Sequence, residues 1–303
     1  MGSATGYKEL NKMEFDACPV CDLSGFEVLA YMKSPVLPNI KKTPISICKN
    51  CGFITVNPKP FPQFALEWNA AWFAREVNDN PDETGRWQKF WNRIEPHVEL
   101  HNVLDIGSRH GNALAFLNQK FPDLQCKAVE MVDEFRKRLI AKYGVDAESF
   151  DIASLWPDRF KEFDLVICRM VLEHLDKPIE TLENIKTSLS SSGLVYVSVP
   201  NSMRIRQKQP ITRDYFRPIH AHYFNLHTLV LLMEKCGLYP VILGDEGDAW
   251  GLFGHTQGVI ENIKEISYRE QKEFMIKRIK HGRYGDCKIA AKMVARKLLR
   301  KHA

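Results

Sequence analysis

The chain has 303 residues, of which 45% are hydrophobic and 26% charged, and these proportions are ordinary for a soluble globular protein. No apolar run approaches the ~20 residues that a membrane span requires, and the N-terminus lacks the apolar core of a secretory signal, so a cytoplasmic location is expected. The formal net charge is +5, but residues 261–303 carry +8 and the remainder carries −3.

Residues 1–60 are expected to form a small N-terminal module that contains two Cys-x-x-Cys pairs. Each pair can place two thiolates on one metal ion, and four thiolates make the closed tetrahedral site that is typical of structural zinc. Without a secretory signal, this cysteine spacing favours metal over disulfides; free buried thiols and a redox pair are the alternatives. Short strands are expected between the pairs, over residues 26–31 and 45–47. The predicted zinc ligands are Cys18, Cys21, Cys48 and Cys51.

Residues 61–97 are rich in aromatic side chains at loosely helical spacing. The simplest interpretation is a pair of helices packed on the next domain. The alternative is a lid over the ligand-binding edge of that domain. The aromatic residues are Trp68, Trp72, Phe73, Trp87, Phe90 and Trp91.

Residues 98–260 alternate short apolar runs with helical segments, which predicts a parallel sheet with helices on both faces. A helix opened by Asp176, with Pro178 in its first turn, is expected, and another is expected over 226–236 with Asn225 as its N-cap. The strands are expected over residues 102–106, 126–130, 145–150, 163–169, 194–199, 241–243 and 253–260.

The first of these strands ends in a turn that contains glycine. Gly107 and Gly111 carry no Cβ, so the backbone amides of the turn can approach a ligand closely. Their spacing does not match the G-x-G-x-x-G of dinucleotide enzymes. Glu130 ends the second strand, where a carboxylate can accept both hydroxyls of a ribose. Asp151 follows the third strand, where a side chain can reach an adenine amino group.

Taken in order, these motifs resemble those of class I S-adenosylmethionine-dependent methyltransferases. The stretch 105–111 is similar to the family's acid-x-G-x-G-x-G turn, with Arg109 in the place of the middle glycine. Residues 163–175 resemble its fourth-strand motif, and residues 192–195 resemble the turn before its fifth strand. The resemblance implies a Rossmann-like sheet and S-adenosylmethionine as cofactor. The residues expected to hold the cofactor are Asp105, Gly107, Arg109, Gly111, Glu130, Asp151 and Arg169.

The segment after the fifth strand carries candidate catalytic residues at the ligand-binding edge of the sheet. His220, His222 and Tyr223 can supply a general base near neutral pH, and His220 is the preferred candidate. The alternative for His222 and Tyr223 is structural packing on the sheet. His110 and His174 are weaker candidates.

Cysteine knuckles ahead of such a sheet resemble a family of zinc-containing sugar methyltransferases that act on nucleotide-linked sugars. In that family a His-containing loop before the same helix supplies the base, and His220 falls at that place. Residues 217–219 depart from the family's motif, and the chain is too short for its large C-terminal domain. The resemblance therefore implies a small sugar-containing acceptor in carbohydrate biosynthesis, and leaves O-, N- and C-methylation open.

Residues 261–303 are expected to form a basic helical tail. It is interpreted as a contact with a second copy or a partner, or as a peripheral contact with anionic lipid at the inner membrane face.

Two other functions of the chain stay open. The first is an RNA methyltransferase whose zinc module binds RNA, although residues 1–60 carry a net charge of only +2, which argues against a nucleic-acid partner. The second is a non-enzymatic scaffold.

Overall fold

The computed structural model describes residues 16–32, 43–59, 83–204, 216, 220–257 and 263–279. In chain order the strands are β1 (Phe26–Met32), β2 (Thr43–Cys48), β3 (Ile54–Val56), β4 (Asn102–Ile106), β5 (Gln125–Val129), β6 (Asp146–Glu148), β7 (Phe163–Arg169), β8 (Leu189–Pro200), β9 (His222–Tyr223), β10 (Tyr239–Gly244) and β11 (Asp248–Gly254). The helices are α1 (Thr84–Ile94), α2 (Asn112–Lys120), α3 (Asp133–Tyr143), α4 (Pro178–Ser188), α5 (Leu226–Lys235) and α6 (268–279), with short 3-10 helices at Glu95–His97 and Leu172–His174. Within these ranges, no helix combines the length and apolar character that crossing a membrane would need.

The larger sheet has seven strands in the order β10-β11-β8-β7-β4-β5-β6. Strands β8, β7, β4, β5 and β6 are parallel, and β11 runs antiparallel to both of its neighbours. The chain moves outward from β4 to β6 and then crosses back to β7, so the strand order reverses between β4 and β7. In an open α/β sheet, ligands bind at the carboxyl ends of the strands beside such a reversal. The predicted α/β class is confirmed.

Both faces of this sheet are buried, which explains why its parallel strands are nearly continuous apolar runs. Leu104 and Ile106 of β4 pack with α4 and α5 on one face. Val103 packs on the other face with α1, α2 and α3. Three of the predicted aromatic residues, Trp87, Phe90 and Trp91, are buried there, so they pack on the sheet as expected. Trp68, Trp72 and Phe73 lie outside the described residues.

Several predicted strands differ from the observed ones by one or two residues at an end, and two differ by about five. The last strand was expected over 253–260, but it is Asp248–Gly254. Its polar first residue and two glycines are untypical of a strand, and pairing with β8 stabilises it. The fifth strand was expected to begin at residue 194, but β8 begins at Leu189. Its polar residues 190–193 resemble a turn in sequence, and a register shift against β7 accommodates them.

The smaller sheet has four antiparallel strands in the order β1-β2-β3-β9. Its fourth strand was not predicted and comes from far along the chain: Tyr223 pairs with Ile54, and His222 pairs with Thr55. The cysteine-containing turns pack against α5, where Lys235 Nζ donates to the Pro19 carbonyl at 2.8 Å. The small sheet is thus joined both to the segment before α5 and to α5 itself.

The first part of the predicted basic tail packs on the small sheet within the same chain. Met275 of α6 is fully buried among Ile45, Ile47 and Ile54. The Tyr268 hydroxyl of α6 donates to Glu27 Oε1 at 2.5 Å. Residues 280–303, which hold most of the predicted partner-binding or lipid-binding face, lie outside the described residues.

Candidate functional site

The turn between β4 and α2 has the backbone shape that its glycines suggest. Gly107 has φ +68° and Gly111 has φ +72°, in the left-handed region that favours glycine. A Cβ on Gly107 would lie 2.7 Å from Val171 Cγ2, and one on Gly111 would lie 2.3 Å from Leu139 Cδ2. The backbone conformation therefore favours glycine at both positions, and a side chain at either one would displace a neighbouring side chain.

Arg109 occupies the same turn with φ +47°, although it carries a side chain. A left-handed conformation costs an ordinary L-residue about 1–2 kcal/mol. Its backbone N–H donates to Glu130 Oε2 at 2.8 Å, and its guanidinium carbon lies 6.0 Å from the centroid of the Phe135 ring. The turn thus keeps a glycine-like backbone and adds a cation.

Glu130 follows the end of β5 and is buried, with 3% of its surface exposed. One carboxylate oxygen accepts the Arg109 N–H, and the other accepts the Val132 N–H at 2.8 Å. Burial raises the pKa of Glu130, and the backbone N–H groups oppose this rise. A carboxylate offers about four lone-pair sites, so the carboxylate can still accept a hydrogen bond from a hydroxyl group of a ligand.

A pocket opens at this edge of the sheet, with carboxylates at separate points and apolar walls between them. Asp151 is exposed, and its carboxylate accepts hydrogen bonds from the Ala153 N–H at 3.1 Å and the Ser154 hydroxyl at 2.9 Å. This distribution fits a nucleoside, with a base against the apolar walls and polar groups at the carboxylates. The pocket is lined by Ile106, Gly107, Arg109, Val129, Glu130, Met131, Phe150, Asp151, Ile152, Ala153, Met170, Val171, His174, Leu175, Asp176, Lys177 and Thr181.

Of the seven residues expected to hold the cofactor, Asp105, Gly111 and Arg169 do not line this pocket. Asp105 is buried, and burial together with the charge of Glu130 raises its pKa to about 8, while Arg169 opposes the rise. The Arg169 guanidinium carbon lies 5.4 Å from the ring centroid of Trp87 in α1. Asp105 and Arg169 therefore belong to the face of the sheet that α1 covers.

His220 is brought to the edge of the pocket, against His174, which lines it. The two imidazole rings are 4.8 Å apart between centroids and nearly perpendicular. Glu173 is buried beside them, and burial raises its pKa to about 8. Glu173 was not predicted from the sequence, and His174 was ranked below His220. Glu173 and His174 could have been found, because they follow the fourth predicted strand as Glu130 follows the second.

His222 and Tyr223 lie in β9 instead of in an open loop. His222 is 2% exposed, and its Nδ1 is 2.9 Å from Thr55 Oγ1. Burial lowers the pKa of His222 to about 3, so the imidazole is neutral at physiological pH. Tyr223 is buried beside Phe216 and His220. This placement supports the structural alternative for His222 and does not support a role as the base.

The four cysteines of the N-terminal module form one cluster, with all four sulfurs within 4.8 Å of one another. The Cys18 and Cys51 sulfurs are 3.7 Å apart, and the Cys21 and Cys48 sulfurs are 3.6 Å apart. Sulfurs at 2.3 Å from one tetrahedral ion would be about 3.8 Å apart. The two turns share one backbone hydrogen bond: the Asp22 N–H donates to the Cys18 carbonyl at 2.8 Å, and the Gly52 N–H donates to the Cys48 carbonyl at 3.0 Å.

The chemistry of the cysteine cluster also suits a cation. Hydrogen bonds from its neighbours lower the pKa of Cys48, whereas those from Cys18 and Cys48 raise the pKa of Cys51. Four adjacent thiolates repel one another, so all four ionise only with a positive ion between them. The cluster can hold a metal ion, and the set of four sulfur donors fits zinc.

Comparison with known proteins agrees with this geometry. The model of a family described as "Methyltransferase domain" matches residues 73–242. A solved structure from Nostoc punctiforme PCC 73102, described as a candidate O-methyltransferase, has a TM-score of 0.50 at 18% identity and covers 60% of this chain and 59% of its own. That likeness concerns the fold alone.

Two curated relatives match a shorter stretch. Both are called tRNA U34 carboxymethyltransferase. The protein of Nautilia profundicola is 29% identical over 133 residues, which are 40% of this chain and 42% of the relative. The protein of Campylobacter hominis is 31% identical over 123 residues, which are 37% of this chain and 41% of the relative. The chain thus spans about two fifths of the length of these relatives. Because the family model covers more than half of the chain, the chain belongs to the methyltransferase family, as a class I S-adenosylmethionine-dependent member.

Proposed function

We propose that this methyltransferase transfers a methyl group to a hydroxyl of a small polar acceptor, and that the acceptor is a sugar or a nucleotide-linked sugar. The observation that carries the proposal is the position of His220 against His174 at the edge of the pocket. An imidazole at this position could take a proton from an acceptor bound beside the cofactor, and this supports the proposal.

The cofactor side of the site is assigned to the pocket. Glu130 would accept hydrogen bonds from the ribose hydroxyls, and Asp151 would accept one from the adenine amino group. The apolar walls, including Phe150 and Ile152, would contact the base. S-adenosylmethionine supplies, when bound, a methyl group on a sulfonium, which is already a strong electrophile. The protein therefore contributes mainly by holding the two reactants in line.

The acceptor hydroxyl needs help because its proton is held far above pH 7. A neutral imidazole beside it can take that proton, and general-base catalysis is typically worth ~10²–10⁴-fold in rate. We assign this role to His220, with His174 and the buried Glu173 restricting the position of its ring.

The cysteine module takes part by fixing the chain next to His220. Strand β9 begins two residues after His220 and pairs with β3 of the small sheet. The resemblance to zinc-containing sugar methyltransferases, in which such a module precedes the same kind of sheet, supports a sugar-containing acceptor.

A tRNA acceptor is the second candidate, and only the names of the two curated relatives favour it. One experiment separates the two: methyl-labelled cofactor is incubated with nucleotide-linked sugars and, in parallel, with bulk tRNA. We expect label in the sugar pool. Label in tRNA alone would assign the second candidate, and label in neither pool would reject both.

His220→Asn tests the assignment of the base in the same assay. We expect turnover to fall by about two orders of magnitude or more, with cofactor affinity retained, because the imidazole acts on the acceptor. Turnover within a few-fold of the parent chain would show that His220 is not the base.

A further inference from the structure

We propose that Glu173, His174 and His220 bind a divalent metal ion at the edge of the cofactor pocket, in a site distinct from the four cysteines. Each of the three residues offers one ligand atom, and the three atoms lie within 4.8 Å of one another. They come from two parts of the chain, because Glu173 and His174 follow β7 and His220 precedes β9.

The geometry is close to what coordination requires. Glu173 Oε1 and His174 Nε2 are 3.7 Å apart. Ligands at about 2.0–2.2 Å from a common ion lie at most about 4.4 Å apart, so small side-chain rotations would bring all three onto it. The backbone is fixed on both sides, since the His174 N–H donates to the Val171 carbonyl at 2.8 Å and β9 is paired with β3.

Glu173 supplies an independent indication. Its side chain is 2% exposed, and its Oε2 has no hydrogen-bond partner in the part of the chain that the structure describes. Leaving a buried polar group unsatisfied costs about 1–3 kcal/mol, and more for a charged group. A cation held by both oxygens of the carboxylate would remove that cost, whereas a surface cluster of acids carries no such cost.

The ligand set indicates the class of metal. Two imidazoles and one carboxylate suit Mn²⁺, Fe²⁺, Co²⁺ or Zn²⁺ better than Mg²⁺ or Ca²⁺, which prefer oxygen ligands. Three protein ligands leave positions open, as in catalytic metal sites. His174 lines the pocket, so the open positions would face the space next to the cofactor.

A metal ion here deepens the proposed function, and only this consequence rests on that function. A cation lowers the pKa of a hydroxyl that coordinates to it, so the acceptor would lose its proton to solvent more readily. In the metal-bound chain His220 is a ligand, so loss of the proton to solvent replaces proton transfer to His220, and the role of His220 as the base then applies to the metal-free chain.

The binding is tested with Mn²⁺ alone, followed by electron paramagnetic resonance, on the full chain with metal already in its cysteine cluster. Neither cofactor nor acceptor is added. We expect one bound Mn²⁺ per chain, and an affinity at least ~10-fold weaker in Glu173→Gln and in His220→Asn. His97→Ala, at an exposed histidine in the 3-10 helix after α1, is the matched control and should bind as the parent does.

The proposal is overturned if the parent chain binds neither Mn²⁺ nor Co²⁺ at millimolar concentration, or if both variants bind as the parent does. Each variant is first checked for metal in the cysteine cluster and for an unchanged thermal unfolding transition. If Glu173→Gln fails this check, His220→Asn carries the comparison. Metal binding without methyl transfer would support this site and overturn the proposed function. Methyl transfer by a chain that binds no Mn²⁺ or Co²⁺ would overturn this site and support the proposed function.

Discussion

The cofactor side and the acceptor side of this site are built in different ways. On the cofactor side, Gly107, Glu130 and Asp151 each follow one of the parallel strands of the larger sheet by one to three residues. On the acceptor side, His174 follows β7 of that sheet, but His220 precedes a strand of the other sheet.

The difference lies in sequence separation. A strand and the turn after it fold together, so each element of the cofactor side is specified by neighbouring residues. The acceptor side depends on contacts such as Thr55 with His222, which are 167 positions apart. Cofactor affinity and turnover should therefore respond to different substitutions, and the predictions below test that separation.

The largest effect is expected from removing one cysteine of the cluster. Cys48→Ser should abolish stoichiometric metal and unfold the small sheet, because metal binding at a four-cysteine zinc site contributes ~10–16 kcal/mol. Turnover should be lost with it, since β9 would lose its partner strand. Elemental analysis measures the bound metal, and thermal unfolding measures the stability of the fold.

Cys126→Ser is the matched control for that substitution. Cys126 lies outside the cluster, and its thiol donates to Asn118 Oδ1 at 3.0 Å, a bond that serine can also make. It should keep both metal and fold. A Cys48→Ser chain that remained folded with a full equivalent of metal would contradict the prediction.

The next effect concerns pH and Asp105, which is buried in β4 on the face of the sheet that α1 covers. Burial raises the pKa of Asp105 from the usual 3.8 to about 8 in the folded chain, so the folded state binds more protons than the unfolded state between these two pH values. Its contribution to stability is therefore complete at low pH and is lost as pH rises through about 8.

Asp105→Asn should remove this dependence of the free energy of unfolding on pH. The stability difference between variant and parent should change by several kcal/mol between pH 4 and pH 8, as measured by denaturant unfolding across this range. A difference that stays constant with pH would show that Asp105 is ionised in the folded chain.

Glu130→Gln should weaken cofactor binding by about 10–100-fold, because a hydrogen bond to a charged group contributes about 1.5–3 kcal/mol. Turnover at saturating cofactor should change little. Isothermal titration with S-adenosylmethionine measures the affinity. Glu134→Gln, four residues along at an exposed position in the first turn of α3, is the control. Unchanged affinity in Glu130→Gln would remove the ribose assignment.

Local patterns were sufficient for much of the large sheet. The bounds of β4 and β7 were predicted correctly, and Asn225 caps α5 through a reciprocal pair of hydrogen bonds with Thr228. In each case a periodic run and its flanking residue lie within a few positions of each other, so the signal needs no distant partner.

The acceptor side could not be predicted to the same extent. Strand β9 has two residues, which is too short to show a period, and its partner strand lies far away in sequence. Arg169, however, could have been placed. Alternation along β7 puts it on the same face as Leu165 and Ile167, which is the face that α1 covers.

The smallest effect is expected at Arg109, where the sequence departs from the family's turn. Replacing it with glycine relieves a φ of +47°, a gain of about 1–2 kcal/mol, but also makes the unfolded chain more flexible, a loss of about 0.4–1 kcal/mol. Arg109→Gly should therefore raise the free energy of unfolding by about 0–1.6 kcal/mol. Arg109→Ala keeps the backbone conformation strained and should not be stabilised.

Cofactor affinity distinguishes the backbone of Arg109 from its side chain. The residue lines the pocket, and its guanidinium can attract the carboxylate of S-adenosylmethionine. Both variants remove this cation, so both should lose a similar few-fold in affinity, about 0.2–1 kcal/mol for an exposed ion pair. Equal losses in calorimetry would assign the effect to the guanidinium. A loss in Arg109→Ala alone would show instead that the shape of the turn controls cofactor binding.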